Sequence, residues 1–303
     1  MTSDILARAA EHWARNTQPQ QHSGIRNWWQ SPHIWRHING LLGAENDAGQ
    51  HAGFSALIKR TAGRRLMRAI SVGCGTGAKE MRLIREGIVE HFDLYEITEP
   101  RIAIGIAEAE KFGISDKVTW HRADAFAECR RTDYDLVHWN NALHHMLDTD
   151  AAIAWSIERL KEGGIFAMDD FVGPSRFQWS DQDLAYATAF RRDLPARLMR
   201  VIDGGGETYK PELQRPTIEA MIAMDPTEAA DSEAILPAIR KRMPGATLIP
   251  TGGVIYQLAT RYILGNFGEE GDDIAFLKLG LTLDRALSTL DNTHYAVAIG
   301  VKP

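Results

Sequence analysis

Ile70-Ser71-Val72-Gly73-Cys74-Gly75-Thr76-Gly77-Ala78 is the stretch on which the fold turns. An apolar run of strand character ends in three glycines at alternate positions, and helix formers follow to about Arg85. Glycine lets backbone approach a ligand where a Cβ would block it. The helix after the loop offers unpaired N–H groups and the positive end of its dipole. Taken alone the loop fits two cofactor classes, because Gly73, Gly75 and Ala78 also satisfy the relaxed fingerprint of nicotinamide-dinucleotide proteins.

Outward from the loop, short apolar runs alternate with helical stretches. Strands are expected at Arg68–Gly73, His91–Ile97, Lys117–His121, Tyr134–Trp139 and Ile165–Asp170, with later ones at Ala246–Pro250 and His294–Val301. Helices are expected at Glu99–Phe112 and around Ala151–Leu160. This rhythm predicts an α/β fold with a mostly parallel, seven-stranded, Rossmann-like sheet covered by helices. Residues 1–66 read as an N-terminal helical cap and 67–303 as the core domain, with a helical insertion at 171–245 on the acceptor side. Ser31-Pro32 reads as a helix start. Trp13, Trp28, Trp29 and Trp35 allow two readings, a lid over a ligand or apolar faces docked on the domain. Asp203-Gly204-Gly205-Gly206 reads as a loop, since no Lys-Ser/Thr pair follows to make a phosphate site.

Candidate binding residues cluster at strand ends, where open parallel sheets bind ligands. Glu96 ends the second strand and can accept hydrogen bonds from both hydroxyls of a ribose. The third strand runs into Ala123-Asp124-Ala125-Phe126, an acid for an adenine amino group beside residues that pack on the ring. The fourth ends in Asn140-Asn141 and leads to Ala142-Leu143-His144-His145.

As an ordered set these motifs resemble class I S-adenosylmethionine-dependent methyltransferases over about residues 68–170. The resemblance implies S-adenosylmethionine as methyl donor, held by Gly73, Cys74, Gly75, Gly77, Glu96, Asp124, Ala125 and Asn140. One departure is Ser71, where the family often has an acid for the methionine ammonium; Glu80 is the local substitute. Phe171-Val172-Gly173-Pro174-Ser175-Arg176-Phe177-Gln178-Trp179, Asp225-Pro226-Thr227-Glu228-Ala229 and Gly265-Asn266-Phe267 are similar to a bacterial small-molecule subgroup. That resemblance implies glycan-linked or methionine S-methyltransferase activity. Asp169-Asp170 replaces the Asn-Glu-Tyr-like entry common in the subgroup.

The acceptor chemistry follows from residue types. An oxygen or nitrogen acceptor needs a base, which His144 or His145 can supply; the other reading is that they orient the loop. A thioether acceptor carries no proton and becomes a cation, which Asp169 or Asp170 would stabilise. Neighbouring strand residues face opposite sides, so one of the pair faces the pocket. Arg176 can meet a substrate carboxylate or an internal acid, and Asn141 and Tyr256 are candidates for the acceptor wall. The favoured acceptor is amino-acid-like, the methionine sulfur in particular. The alternatives are O-methylation of a sugar or surface-glycan precursor, a nicotinamide-dependent oxidoreductase and a non-catalytic cofactor-binding module.

Composition narrows the partners. The formal net charge is −6 and the arginines are interspersed with acids, which argues against a nucleic-acid track. Two cysteines, Cys74 and Cys129, fit a reducing compartment rather than a disulfide scaffold. No signal peptide or 18-residue apolar run is visible, so the expectation is a cytoplasmic protein without a membrane span. No metal motif is evident, since His144 and His145 are adjacent and lack a paired ligand motif. The Trp-rich N-terminus and the late helices offer a homodimer face.

Overall fold

All seven expected strands form and join one sheet. They are β1 (Leu66–Val72), β2 (Val89–Tyr95), β3 (Val118–His121), β4 (Tyr134–Asn140), β5 (Leu160–Phe171), β6 (Thr247–Gly252) and β7 (Tyr295–Val301). Their order is β3-β2-β1-β4-β5-β7-β6, with β7 antiparallel to both neighbours and the other pairs parallel. The order reverses between β1 and β4, so a crevice opens above their C-terminal ends. The computed structural model describes residues 3–15, 27–44 and 49–303. Parts of the expected N-terminal cap, residues 1–2, 16–26 and 45–48, lie outside these.

The helices are α1 (Ser3–Arg15), α2 (Pro32–Leu41), α3 (Ala52–Ala62), α4 (Ala78–Arg85), α5 (Glu99–Lys111), α6 (Ala125–Glu128), α7 (Thr149–Arg159), α8 (Asp181–Arg192), α9 (Ile218–Met224), α10 (Ile235–Arg242) and α11 (Asp273–Ser288). Strand alternation sends apolar side chains to both faces of the sheet. On one face Ala69, Leu136 and Ala167 pack with Ile34 and Ile38 of α2, Phe54 and Ile58 of α3, and Leu277 and Leu281 of α11. On the other, Ile70, Val137 and Phe166 pack with Ile153 of α7 and Ile235 and Ile239 of α10. Helices α2 and α3 therefore belong to the central core and do not form a detachable cap.

The insertion carries its own apolar cluster, in which Trp179, Ala187 and Phe171 meet Val254 and Leu258. Between β6 and β7 the helical structure is divided. Val254–Ala259 is π-helical, Leu264–Phe267 is 3₁₀ and only α11 is long. The physical reason is Asp284. Its buried carboxylate accepts the backbone N–H groups of Gly253, Val254, Ile255 and Tyr256 at 2.8–3.1 Å. That negative group at the N-terminal turn holds the segment against α11 and sets the position of Tyr256.

Beneath the glycine loop the packing is tight. Gly77 sits at φ +66°, and a Cβ there would approach Trp120 at 2.8 Å. A Cβ at Gly105 of α5 would lie 2.3 Å from Trp120 and 2.6 Å from the Thr76 carbonyl oxygen. Gly105→Ala should therefore lower stability by about 1–3 kcal/mol through overpacking. Urea denaturation checks this, and an unchanged midpoint would show that α5 is free to shift away from the loop.

Candidate functional site

The site begins at the C-terminal end of β1, where Gly73, Gly75 and Gly77 all adopt left-handed backbone, at φ +64°, +61° and +66°. Such a run is accessible to glycine without strain. It lays the chain flat over the start of α4 and opens a cavity between the ends of β1, β2, β3 and β4. The cavity has about 770 Å³ of empty space, its open mouth included, and is lined by Gly73, Glu96, Asp124, Phe126 and Asn141 among others.

Glu96 is buried, and each carboxylate oxygen already accepts a backbone N–H, Gly75 at 2.8 Å and Thr98 at 2.8 Å. These two donors fix the carboxylate, and each oxygen keeps a further lone pair for a ligand hydroxyl. Asp124 caps α6 by accepting the Phe126 N–H at 3.0 Å, and among the described residues no hydrogen bond engages its other oxygen. Ala125 and Phe126 form the adjoining apolar wall.

The other residues expected to hold the donor stand behind this lining. Gly75 reaches it through Glu96, and Gly77 caps α4. Burial, followed by the nearby Glu80 and Glu96, pushes the Cys74 thiol well up, so it stays protonated. The Asn140 carbonyl accepts the Lys79 ammonium at 2.7 Å, and its side-chain oxygen accepts the Asn141 amide at 3.0 Å.

The departure at Ser71 has a structural counterpart. The Ser71 hydroxyl donates to Glu80 at 2.8 Å, and His138 Nδ1 lies 2.9 Å from the same oxygen. Burial alone would raise the Glu80 pKa, but His138, Lys79 and Ser71 together hold it below the ordinary range. An anionic group thus stands within reach of the strand position where the family often has an acid.

Helix α1 covers the mouth of the cavity. Leu6, Ala9 and Trp13 line it, at the i, i+3, i+7 spacing of one helical face. The Arg101 guanidinium stacks 4.4 Å from the Trp13 ring, and Trp13 meets His145 edge-on at 5.2 Å. Of the four early tryptophans, then, Trp13 is a lid residue. Trp28 and Trp35 line a second chamber, and Trp29 is exposed.

That second chamber lies by the end of β5 and has about 380 Å³ of empty space. Trp28, Trp35, Phe54, Tyr256 and Tyr295 wall it, and Asp169 and His51 are titratable groups on its lining. Trp28 packs at 5.4 Å from Tyr256 and 4.9 Å from Tyr295, and its indole N–H donates to the Tyr295 hydroxyl at 3.2 Å. His51 Nδ1 is 3.7 Å from Asp169. Burial lowers the His51 pKa more than the Asp169 contact raises it. The Tyr256 hydroxyl is buried without a hydrogen-bond partner among the described residues. The two cavities adjoin through the backbone: Asn140 pairs with Asp169 across β4 and β5, and the Asn141 N–H donates to the Asp169 carbonyl at 2.9 Å.

Two expectations need correction. Asp170 is fully buried and its oxygens are occupied. It accepts N–H groups from Ala142 at 2.9 Å, Leu143 at 2.7 Å and Phe171 at 2.8 Å, and lies 2.5 Å from His144 Nδ1. Strand alternation sends Asp169 to the chamber and turns Asp170 under the loop, so Asp170 does not reach an acceptor. Arg176 likewise meets neither cavity. Its guanidinium donates to the Pro226 carbonyl at 2.7 Å and the Glu228 carbonyl at 3.0 Å, tying two loops together.

The two histidines differ in charge state. Burial lowers His144, but Asp170 and Glu228 outweigh this and raise its pKa. Burial and the neighbouring His144 push His145 well below its ordinary value, so it is neutral near pH 7. His145 lines the donor cavity. His51, Lys79, Arg101 and Tyr295 did not stand out in the sequence, because nothing local distinguishes them from ordinary core or surface residues.

Residues 64–213 match the family described as "Methyltransferase domain". Among solved structures, the chain is similar to geranyl diphosphate methyltransferase in complex with GPP and sinefungin. The identity is 12%, covering 99% of this chain and 100% of that one, with a TM-score of 0.55. It is also similar to the Haemonchus contortus phosphoethanolamine N-methyltransferase 2 bound to phosphomonomethylethanolamine and S-adenosylhomocysteine. There the identity is 14%, with 96% of this chain covered and a TM-score of 0.51. This chain spans 60% of that protein's length. At such identities the likeness is one of fold.

Glu96→Ala should weaken S-adenosylhomocysteine binding by about 1–3 kcal/mol, since it removes a charge-assisted acceptor and orphans the Gly75 and Thr98 N–H groups. Isothermal calorimetry checks this. Unchanged affinity in a folded variant would take Glu96 out of the donor site.

Proposed function

The chain belongs to the class I S-adenosylmethionine-dependent methyltransferases, and from that premise we propose that its acceptor is a small, amino-acid-like molecule seated in the aromatic chamber. The cavity over the glycine loop suits the donor: Glu96 for the ribose, Asp124 for the adenine amino group, and flat glycine backbone where side chains would intrude. When bound, S-adenosylmethionine supplies a methyl group already activated on a sulfonium sulfur. What remains for the protein is alignment and exclusion of water, and positioning alone is worth roughly 7–11 kcal/mol.

The observation that carries the reading is the Asp169 carboxylate among Trp28, Trp35, Tyr256 and Tyr295. Aromatic faces and one carboxylate suit a group that is cationic or becomes cationic. The favoured acceptor is the methionine thioether, giving S-methylmethionine. Asp169 would then hold the amino-acid ammonium or face the developing sulfonium, and the sulfur brings no proton for a base to remove. A second reading is supported by His145. A neutral imidazole on the donor cavity is suited to take a proton from a hydroxyl, which fits O-methylation of a sugar or surface-glycan precursor. The oxidoreductase alternative is set aside by the family match.

Labelled methyl donor, offered with methionine and separately with glycan precursors, distinguishes these readings. Label on methionine is expected, and label on the glycan alone would overturn the preferred acceptor. Asp169→Asn should lower kcat/KM for the acceptor by about tenfold to a hundredfold, the worth of a charge-assisted contact, and leave donor affinity within twofold. Equal loss of donor affinity would move Asp169 to the other half of the site.

A further inference from the structure

Beside the lid helix, three potential metal ligands converge that the thioether reading leaves without a role, one of them, His145, on the wall of the donor cavity. His144, His145 and Glu228 each offer one ligand atom, and these atoms lie within 4.8 Å of one another. We propose that His144, His145 and Glu228 form a binding site for one divalent transition-metal ion of the zinc class, with its open coordination position toward the donor cavity. The site is compatible with the thioether reading, which asks nothing of His145, and an ion on His145 would replace its role as base in the O-methylation reading.

Three observations point to a ligand set rather than a chance cluster. The first is tautomer control. Asp170 Oδ1 lies 2.5 Å from His144 Nδ1 and can only accept, so His144 carries its proton on Nδ1. The Thr227 hydroxyl donates to Asp225 at 2.7 Å, so toward His145 Nδ1, 3.1 Å away, it can only accept. With Nδ1 of each ring so engaged, Nε2 is the atom that each histidine can offer an ion, which would replace any proton held there. An anchored Nδ1–H behind an available Nε2 is the supporting arrangement found around metal-bound histidines.

The second is spacing. His144 Nε2 lies 3.8 Å from Glu228 Oε1. That is too long for a hydrogen bond, yet one ion about 2.1 Å from each fits between them. The third is rigidity. The Ala230 N–H donates to the His144 carbonyl at 3.2 Å, and the Arg176 N–H to the Ala229 carbonyl at 2.6 Å. The Arg176 guanidinium also grips the Pro226 and Glu228 carbonyls. The loop bearing Glu228 is thereby held to the loop bearing both histidines before any ion arrives. His145 and Thr227 also line the donor cavity, which provides an entry path and leaves room for a water or a small-molecule oxygen as the remaining ligand.

The test is titration of the chelator-treated full chain with Co²⁺, followed by visible absorption, with Zn²⁺ as competitor. One Co²⁺ per chain is expected, displaced by Zn²⁺. Glu228→Gln should weaken binding at least tenfold, and Thr227→Val, which removes the acceptor behind His145 Nδ1 and leaves all three ligands in place, by about 10–100-fold. A readout free of substitutions is proton NMR of the Co²⁺-loaded wild type. Two hyperfine-shifted, exchangeable imidazole N–H signals are expected, one from each anchored Nδ1. Absence of stoichiometric binding, binding that Glu228→Gln leaves unchanged, or loaded protein without those two signals would each overturn the site.

Discussion

The buried carboxylate of Asp170 is the contact on which both halves of the site depend. It stands at the end of β5, excluded from solvent, and gathers the N–H groups of Ala142, Leu143 and Phe171 together with His144. A carboxylate in such a nest is stabilised by dipoles that no water could replace. Its effect is to clamp the loop after β4 to β5. Donor-cavity residues Asn141 and His145 lie on that loop, and the chamber's Asp169 is the adjacent residue on β5. Loss of the clamp would release a buried, unpaired group on each partner, the costly way to break such a contact.

Around this clamp the molecule divides its work by distance along the chain. The donor half is built largely from consecutive strand ends, β1 to β4, each delivering its residue where the sheet order reverses. Acceptor-side groups come from far apart. The chamber takes Trp28 and Trp35 from the N-terminal region, His51 and Phe54 at α3, Asp169 from β5, Tyr256 from the π-helical segment and Tyr295 from β7. Asp284, itself on α11, places Tyr256 by holding four backbone N–H groups. No helix among the described residues is long and apolar enough to cross a membrane.

The N-terminal segment shows why composition alone left its role open. Tryptophans at 13, 28, 29 and 35 are equally apolar on paper, yet they reach three different surroundings. Trp13 lies between Arg101 and His145 over the donor cavity, while Trp28 and Trp35 serve the chamber. Helices α2 and α3 bury Ile34, Ile38, Phe54 and Ile58 against the sheet, so the expected boundary at residue 66 is not a boundary of packing.

By itself the sequence determined the sheet, the glycine loop and the acids at strand ends, because these rest on local rules. Strand period, left-handed glycine and the position of a residue just past a strand are all readable over ten residues or fewer. Glu96 and Asp124 were legible for that reason. Which of two adjacent acids faces a ligand was not. The alternation of β5 says that Asp169 and Asp170 part company, but only the loop folded over Asp170 decides which one is engaged. Arg176 was misplaced on the same ground, since its partners are backbone carbonyls some 50 residues away and carry no side-chain signature. Glu228 meets His144 only after the insertion folds back, a contact across 84 positions that no local pattern encodes.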